Sequence, residues 1–227
     1  LVYLADDEAA IRRTCEPTPE GPALRLNPGY KIEPTTVIII GHNSNSRAIL
    51  DSFDAFRTEW RTRETDPVHL CIIDDEAKIG CWEDRDYITK YPTRSIYDKD
   101  SILELLNRAI SRRQRKMSIL ILSDDELPAE AFDSHVLTYL IYVRELIDSL
   151  PAKDDAIDII VEILDPRHYD VVKSFSVANI VISNRYVSRI VLQCGEKEML
   201  YRFYQDVLTY DDPETHASSK EIYVKRA

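Results

Sequence analysis

The stretch Thr35-Thr36-Val37-Ile38-Ile39-Ile40-Gly41-His42-Asn43-Ser44-Asn45-Ser46 decides the reading of this chain. A β-branched run meets a glycine, then a polar turn, then a helical stretch from Arg47 to Trp60. Strand, glycine turn and helix in that order begin a dinucleotide-binding fold. In its G-x-G-x-x-G fingerprint the glycines let the backbone approach a pyrophosphate at the helix N-terminus. Here Gly41 keeps the first position, while Asn43 and Ser46 stand where the other two glycines belong. The fold signal survives and the cofactor signal is damaged, which points to a module for sensing or assembly rather than for hydride transfer.

Working outward, Val68-His69-Leu70-Cys71-Ile72-Ile73 reads as a second strand buried on both faces, ending in Asp74-Asp75-Glu76. A short strand is expected around Thr93 to Tyr97, followed by a helix opened by Asp98 that carries Ile102, Leu106 and Ile110 on one side. Met117 to Leu122 makes the fourth strand, and Leu127-Pro128 is expected to open a long helix reaching about Leu150. Ile157 to Leu164 and Asn179 to Ile182 supply the fifth and sixth strands, separated by a short helix starting at Asp165-Pro166. Helical segments from Asn184 to Cys194 and Glu196 to Leu208 follow, then a tail with a strand signal at Glu221 to Val224. This alternation predicts an α/β, Rossmann-like, doubly wound and mostly parallel sheet with helices on both faces.

Residues 1–13 read as a terminal strand that finishes something upstream, and residues 14–34 as a proline-rich linker. Residues 35–182 form the core, and residues 183–227 a helical pair and tail with a candidate assembly surface.

A chain of 227 residues with 44% hydrophobic content can bury a full core. Its net charge of -11 argues against a nucleic-acid partner, which needs a clustered cationic face. The four cysteines form no C-x-x-C pair, so structural zinc is not expected and the thiols read as reduced and cytosolic. No apolar run approaches the roughly 20 residues that span a bilayer.

In doubly wound sheets ligands bind outside the carboxyl ends of the strands. Gly41, His42, Asn43 and Asp74 therefore form a candidate nucleotide-type crevice, with Asp74 placed to accept ribose hydroxyls. The missing glycines and the absence of a basic residue in the turn weigh against NAD. Asp74, Asp75, Asp124 and Asp125 form a second candidate, a calcium site, because calcium takes six to eight oxygen ligands. The plainer reading of the same acids is that they cap the elements that follow. Asp6-Asp7-Glu8 and Glu83-Asp84-Asp86 read as further acidic clusters or solvated surface. Histidine spacing fits no zinc motif, and Ser44, Ser46 and Ser123 have no nucleophile elbow around them, so no enzyme is expected.

Four short stretches then resemble one family. Ile180-Val181-Ile182-Ser183-Asn184-Arg185-Tyr186-Val187-Ser188 is similar to the D-Y-V-L-S-N-E-L-V-S stretch of the CASTOR and POLLUX ion channels, near the end of a regulator-of-potassium-conductance (RCK) domain. Val2 to Glu8 resembles that family's I-A-E-D-D strand, which also precedes a proline-rich linker. Ile121 to Glu126 and Val161 to Arg167 resemble its I-L-A-D-E and S-E-I-L-D-x-R segments. The order of these stretches covers nearly the whole chain. The resemblance implies the second RCK unit of a cation channel: a cytoplasmic domain of a membrane protein, with its pore domain on the same polypeptide. It further implies a homo-oligomeric ring of RCK units, tetrameric in the channel, driven by calcium or a nucleotide. A nucleotide-binding regulator of a TrkA-type potassium uptake system is the alternative.

Overall fold

The computed structural model describes residues 34–208 apart from 63–64, 96–97, 112–115, 129–130, 132, 150–156, 176, 178 and 197. The expected strand at residues 1–13, the linker at 14–34 up to Glu33 and the strand signal near residue 221 lie outside the described residues.

Six strands form one parallel sheet in the order β3-β2-β1-β4-β5-β6. They are β1 (Thr35–Ile40), β2 (Val68–Asp75), β3 (Ile88–Thr93), β4 (Lys116–Ile121), β5 (Ile157–Ile163) and β6 (Asn179–Ile182). The helices are α1 (Ser46–Trp60), α2 (Lys99–Ser111), α3 (Ser134–Ser149), α4 (Tyr169–Ser174), α5 (Ser183–Glu196) and α6 (Glu198–Leu208). This is the Rossmann strand order. The chain winds outward from β1 through β2 to β3, then returns to β4 on β1's other side, so the switch point lies between β1 and β4.

The central strands are where the continuous apolar runs fall, because only there are both strand faces covered. Ile38, Ile40, Cys71, Ile73, Ile119, Ile121 and Val161 pack with Ile102 and Leu106 of α2, Val136 and Leu140 of α3, and Val172 of α4. On the opposite face Val37, Ile39, Leu70 and Ile72 pack with Leu50 of α1 and with Trp82, Tyr87 and Leu122. No α-helix joins β2 to β3. A short 3-10 turn at Ile79–Cys81 leads to Trp82, whose indole fills the space beside α1.

Two sequence expectations are corrected. The third strand runs over Ile88–Thr93 rather than Thr93 to Tyr97. Its lysine and Pro92 disguise it, yet it is the edge strand, where a residue without an N–H is tolerated. The helix expected from Leu127-Pro128 begins only at Ser134. Pro128 instead starts a tight turn closed by Ala131 N–H at 2.7 Å. The carboxylate of Asp133, just before the helix, is drawn into the interior, where it receives bonds from Ser123, just beyond β4, and from the β5–α4 loop.

Candidate functional site

The crevice at the switch point is built from the ends of β1 and β4. Gly41 leaves β1 at φ +89, and a Cβ there would lie 3.1 Å from the Leu122 carbonyl oxygen at the end of β4. Two backbones pass this closely only where one carries no side chain, which is why the first fingerprint glycine is kept.

Beyond Gly41 the turn is satisfied by its own side chains. Asn43 N–H donates to Ser46 Oγ at 3.0 Å, and Asn45 N–H donates to Asn43 Oδ1 at 3.0 Å. Ser44 N–H points at the Asp125 carboxylate, 3.1 and 3.2 Å from its two oxygens, and Ser44 Oγ also donates to it. The first turn of α1 contains no acid of its own, so Asp125 supplies the anion that a helix N-terminus favours. The amides that a diphosphate would use are thus bound to Ser46, Asn43 and Asp125.

The carboxylate expected to meet a ribose is engaged as well. Asp74, 4% exposed, accepts from Trp82 Nε1 at 2.7 Å and from Asp75 N–H at 2.9 Å. Burial pushes its pKa up, against the pull of these two donors. His42 stands edge-on to the Trp82 ring at 5.7 Å, and its Nδ1 is buried with no hydrogen-bond partner.

The acids nominated for calcium each bind different neighbours. Asp75 closes a turn by accepting from Ala77 N–H at 2.8 Å. Asp124 accepts from Glu126 N–H at 3.1 Å and from Lys78 Nζ at 3.0 Å, and Lys78 also reaches Glu126 at 2.8 Å. Burial opposes the charge on Lys78, but the bonds to Glu126 and Asp124 outweigh it and hold the ammonium above its ordinary range. His135 lies 3.7 Å from Asp124, and burial pulls its pKa down. Among the described residues no group of three His, Cys, Asp or Glu gathers as a metal site. Of the other acidic clusters, Glu83, Asp84 and Asp86 pair with Arg85, Lys90 and Arg57 at 2.6, 2.7 and 2.8 Å, while Asp6-Asp7-Glu8 lies outside the described residues.

Two buried carboxylates were missed by sequence reasoning. Asp133, 0% exposed, accepts from Ser123 Oγ at 2.6 Å, Leu164 N–H at 3.0 Å and Asp165 N–H at 3.1 Å, and pairs with His168 Nδ1 at 2.8 Å. It ties the ends of β4 and β5 to the start of α4. Glu162, 8% exposed, accepts from Asn43 Nδ2 at 2.7 Å and from Ser183 Oγ. A lone acid inside Ile159-Ile160-Val161-Glu162-Ile163 contradicts the strand's apolar pattern, and that contradiction was the available signal.

Beyond the crevice, α5 and α6 contact each other, and several of their large apolar side chains face outward while Ile190, Leu200, Phe203 and Tyr204 are half-buried. Tyr186, Val187, Val191, Leu192, Met199 and Tyr201 are exposed, Val191 at 64% and Met199 at 71%. No helix among the described residues is long and apolar enough to cross a membrane.

No protein-family model matches the chain, and no curated protein matches it. Among solved structures, the crystal structure of the GsuK RCK domain aligns with a TM-score of 0.40 at 13% identity, covering 66% of this chain and 27% of that one.

Proposed function

We propose that this chain is a non-enzymatic regulatory domain of RCK type, the second such unit of a CASTOR- or POLLUX-like cation channel, acting by assembly into a ring on the cytoplasmic side. The observation that carries this reading is the outward apolar face of α5 and α6 on a Rossmann sheet. Two short helices with little packing against their own domain are marginal in water and gain stability only by covering that face. Exposed apolar area of several hundred Å² marks an interface. The stretch Ile180 to Ser188, which resembles a CASTOR and POLLUX segment near the end of an RCK unit and leads into α5, supports the same reading. A ring of such units shifts between arrangements only by the difference in ligand affinity for them.

The TrkA-type alternative, with NAD or ATP in the crevice, is disfavoured by the Ser44 amide held on Asp125 and by Asp74 held on Trp82. Calcium at Asp74, Asp75, Asp124 and Asp125 requires displacement of the Lys78 ammonium. Sedimentation over a wide concentration range tests assembly: the chain is expected to self-associate, and Val191→Asp with Leu192→Asp to leave it folded and monomeric. A wild-type chain that stays monomeric throughout removes the assembly reading. In the same preparation, a rise in melting temperature with calcium and not magnesium, lost in Asp124→Asn with Asp125→Asn, identifies calcium as the ligand, since binding to the native state alone raises stability by mass action.

A further inference from the structure

Glu162 lies on β5 between two neutral donors that belong to different parts of the domain. Asn43 Nδ2, from the β1–α1 turn, meets Oε2 at 2.7 Å, and Ser183 Oγ, from the first residue of α5, meets Oε1. Asn43 is 2% exposed, and no cation pairs with Glu162 among the described residues. A buried carboxylate is costly unless its donors are in place, whereas an apolar residue of similar size would fill the same space without that cost. Hydrogen bonds to a charged acceptor are about twice as strong as neutral ones. Both ends of this bridge are therefore stiff.

Neither end has slack. Ser183 follows Ile182 of β6 directly, so α5 leaves the sheet without a linker, and its first turn is held by β6, by the bond to Glu162 and by a longer one from Asn184 Nδ2 to the Leu164 carbonyl at 3.4 Å. At the other end Asn43 is fixed by its N–H to Ser46 and by its Oδ1 from Asn45, and its neighbour Ser44 holds Asp125. A change at the Ser44–Asp125 contact thus reaches α5 through Asn43 and Glu162.

We propose that Glu162 is a positioning residue that couples the state of the β1–α1 crevice to the direction of the α5–α6 pair. The functional meaning of this coupling rests on the assembly role proposed above, and the coupling itself does not.

Hydrogen exchange of the amides in residues 183–196 reads it directly, in the full chain with a reciprocal pair of substitutions. Asn43→Asp sets two carboxylates against each other and is expected to raise exchange in α5 about tenfold, whereas Glu162→Gln keeps both contacts, its oxygen turned to Asn43 and its amide donating to Ser183 Oγ, and is expected to leave α5 within about twofold of wild type. Combined, the amide at position 162 donates to the carboxylate at position 43 and still accepts from Ser183, so protection in α5 is expected to return to within about twofold of wild type. Ser183→Ala, which leaves the crevice intact, raises α5 exchange without affecting the β1–α1 turn, and covers the case in which a charge variant does not fold. Unchanged α5 exchange in Ser183→Ala overturns the proposal. So does a rise spread evenly over the domain, or a double variant no better than Asn43→Asp alone. Sedimentation of the same proteins separates the two ideas: a monomeric wild type removes assembly and leaves the exchange result standing, while an assembling wild type with an unresponsive α5 removes the coupling alone.

Discussion

Replacing Trp82 by phenylalanine tests whether the crevice acid is a structural partner. The indole is almost fully buried, and its Nε1–H makes a 2.7 Å bond to Asp74 Oδ2. Loss of one donor to a buried charged acceptor costs about 1.5–3 kcal/mol. The smaller ring gives up some tens of Å² of burial, a further loss of about 1 kcal/mol. The expected total at neutral pH is about 3 kcal/mol, or a fall in melting temperature of about 6–12 °C for a domain of this size. The pH dependence makes the prediction specific. Burial already raises the Asp74 pKa from its ordinary 3.8, and Trp82 is the first of the donors opposing that rise. Without Trp82 the folded pKa climbs further. A carboxyl with a raised pKa binds its proton more tightly when folded, so the stability it contributes is fully present below 3.8 and is lost as pH rises through the folded pKa. The deficit of Trp82→Phe should therefore shrink as pH falls through the folded pKa of Asp74, towards the ring loss of about 1 kcal/mol plus about 0.5–1.5 kcal/mol for a bond to a neutral acceptor. Thermal melts of both proteins across the acid range measure this. A deficit that is the same at pH 4 and at neutrality would show that Asp74 is not carrying charge against Trp82.

Gly41→Ala is expected to destabilise by about 1–3 kcal/mol, because the residue sits at positive φ and the new methyl meets the Leu122 carbonyl; urea titration reads it as a lower midpoint at unchanged slope. Asp133→Ala strands the Ser123 hydroxyl, two backbone N–H groups and His168 in the interior. The loss is expected to reach about 3–5 kcal/mol, the largest of the set by the same titration, and a loss below about 1 kcal/mol would mean that water replaces the carboxylate.

The parallel core was legible because it depends on local pattern. Val37 to Ile40 and Leu70 to Ile73 are apolar at consecutive positions, and only a strand covered on both faces needs that. The edge strand was misplaced because Ile88–Thr93 pairs with a strand on one edge only and has no apolar run to announce it. The α5–α6 pair was legible as helix and as apolar surface, but whether that surface turns inward was open in the sequence. The long helix was begun too early because Pro128 is as suited to a turn as to a first helical residue.

The sequence by itself determined the order of strands and helices and the damaged state of the fingerprint, since both are written in neighbouring residues. Tertiary structure alone decided what the polar residues of the crevice do. Asp125 comes to Ser44 across 81 positions, Glu162 to Asn43 across 119, and Lys78 to Asp124 across 46. A carboxylate's role depends on which donors face it once water has been excluded, and those donors arrive from other strands only when the sheet has assembled.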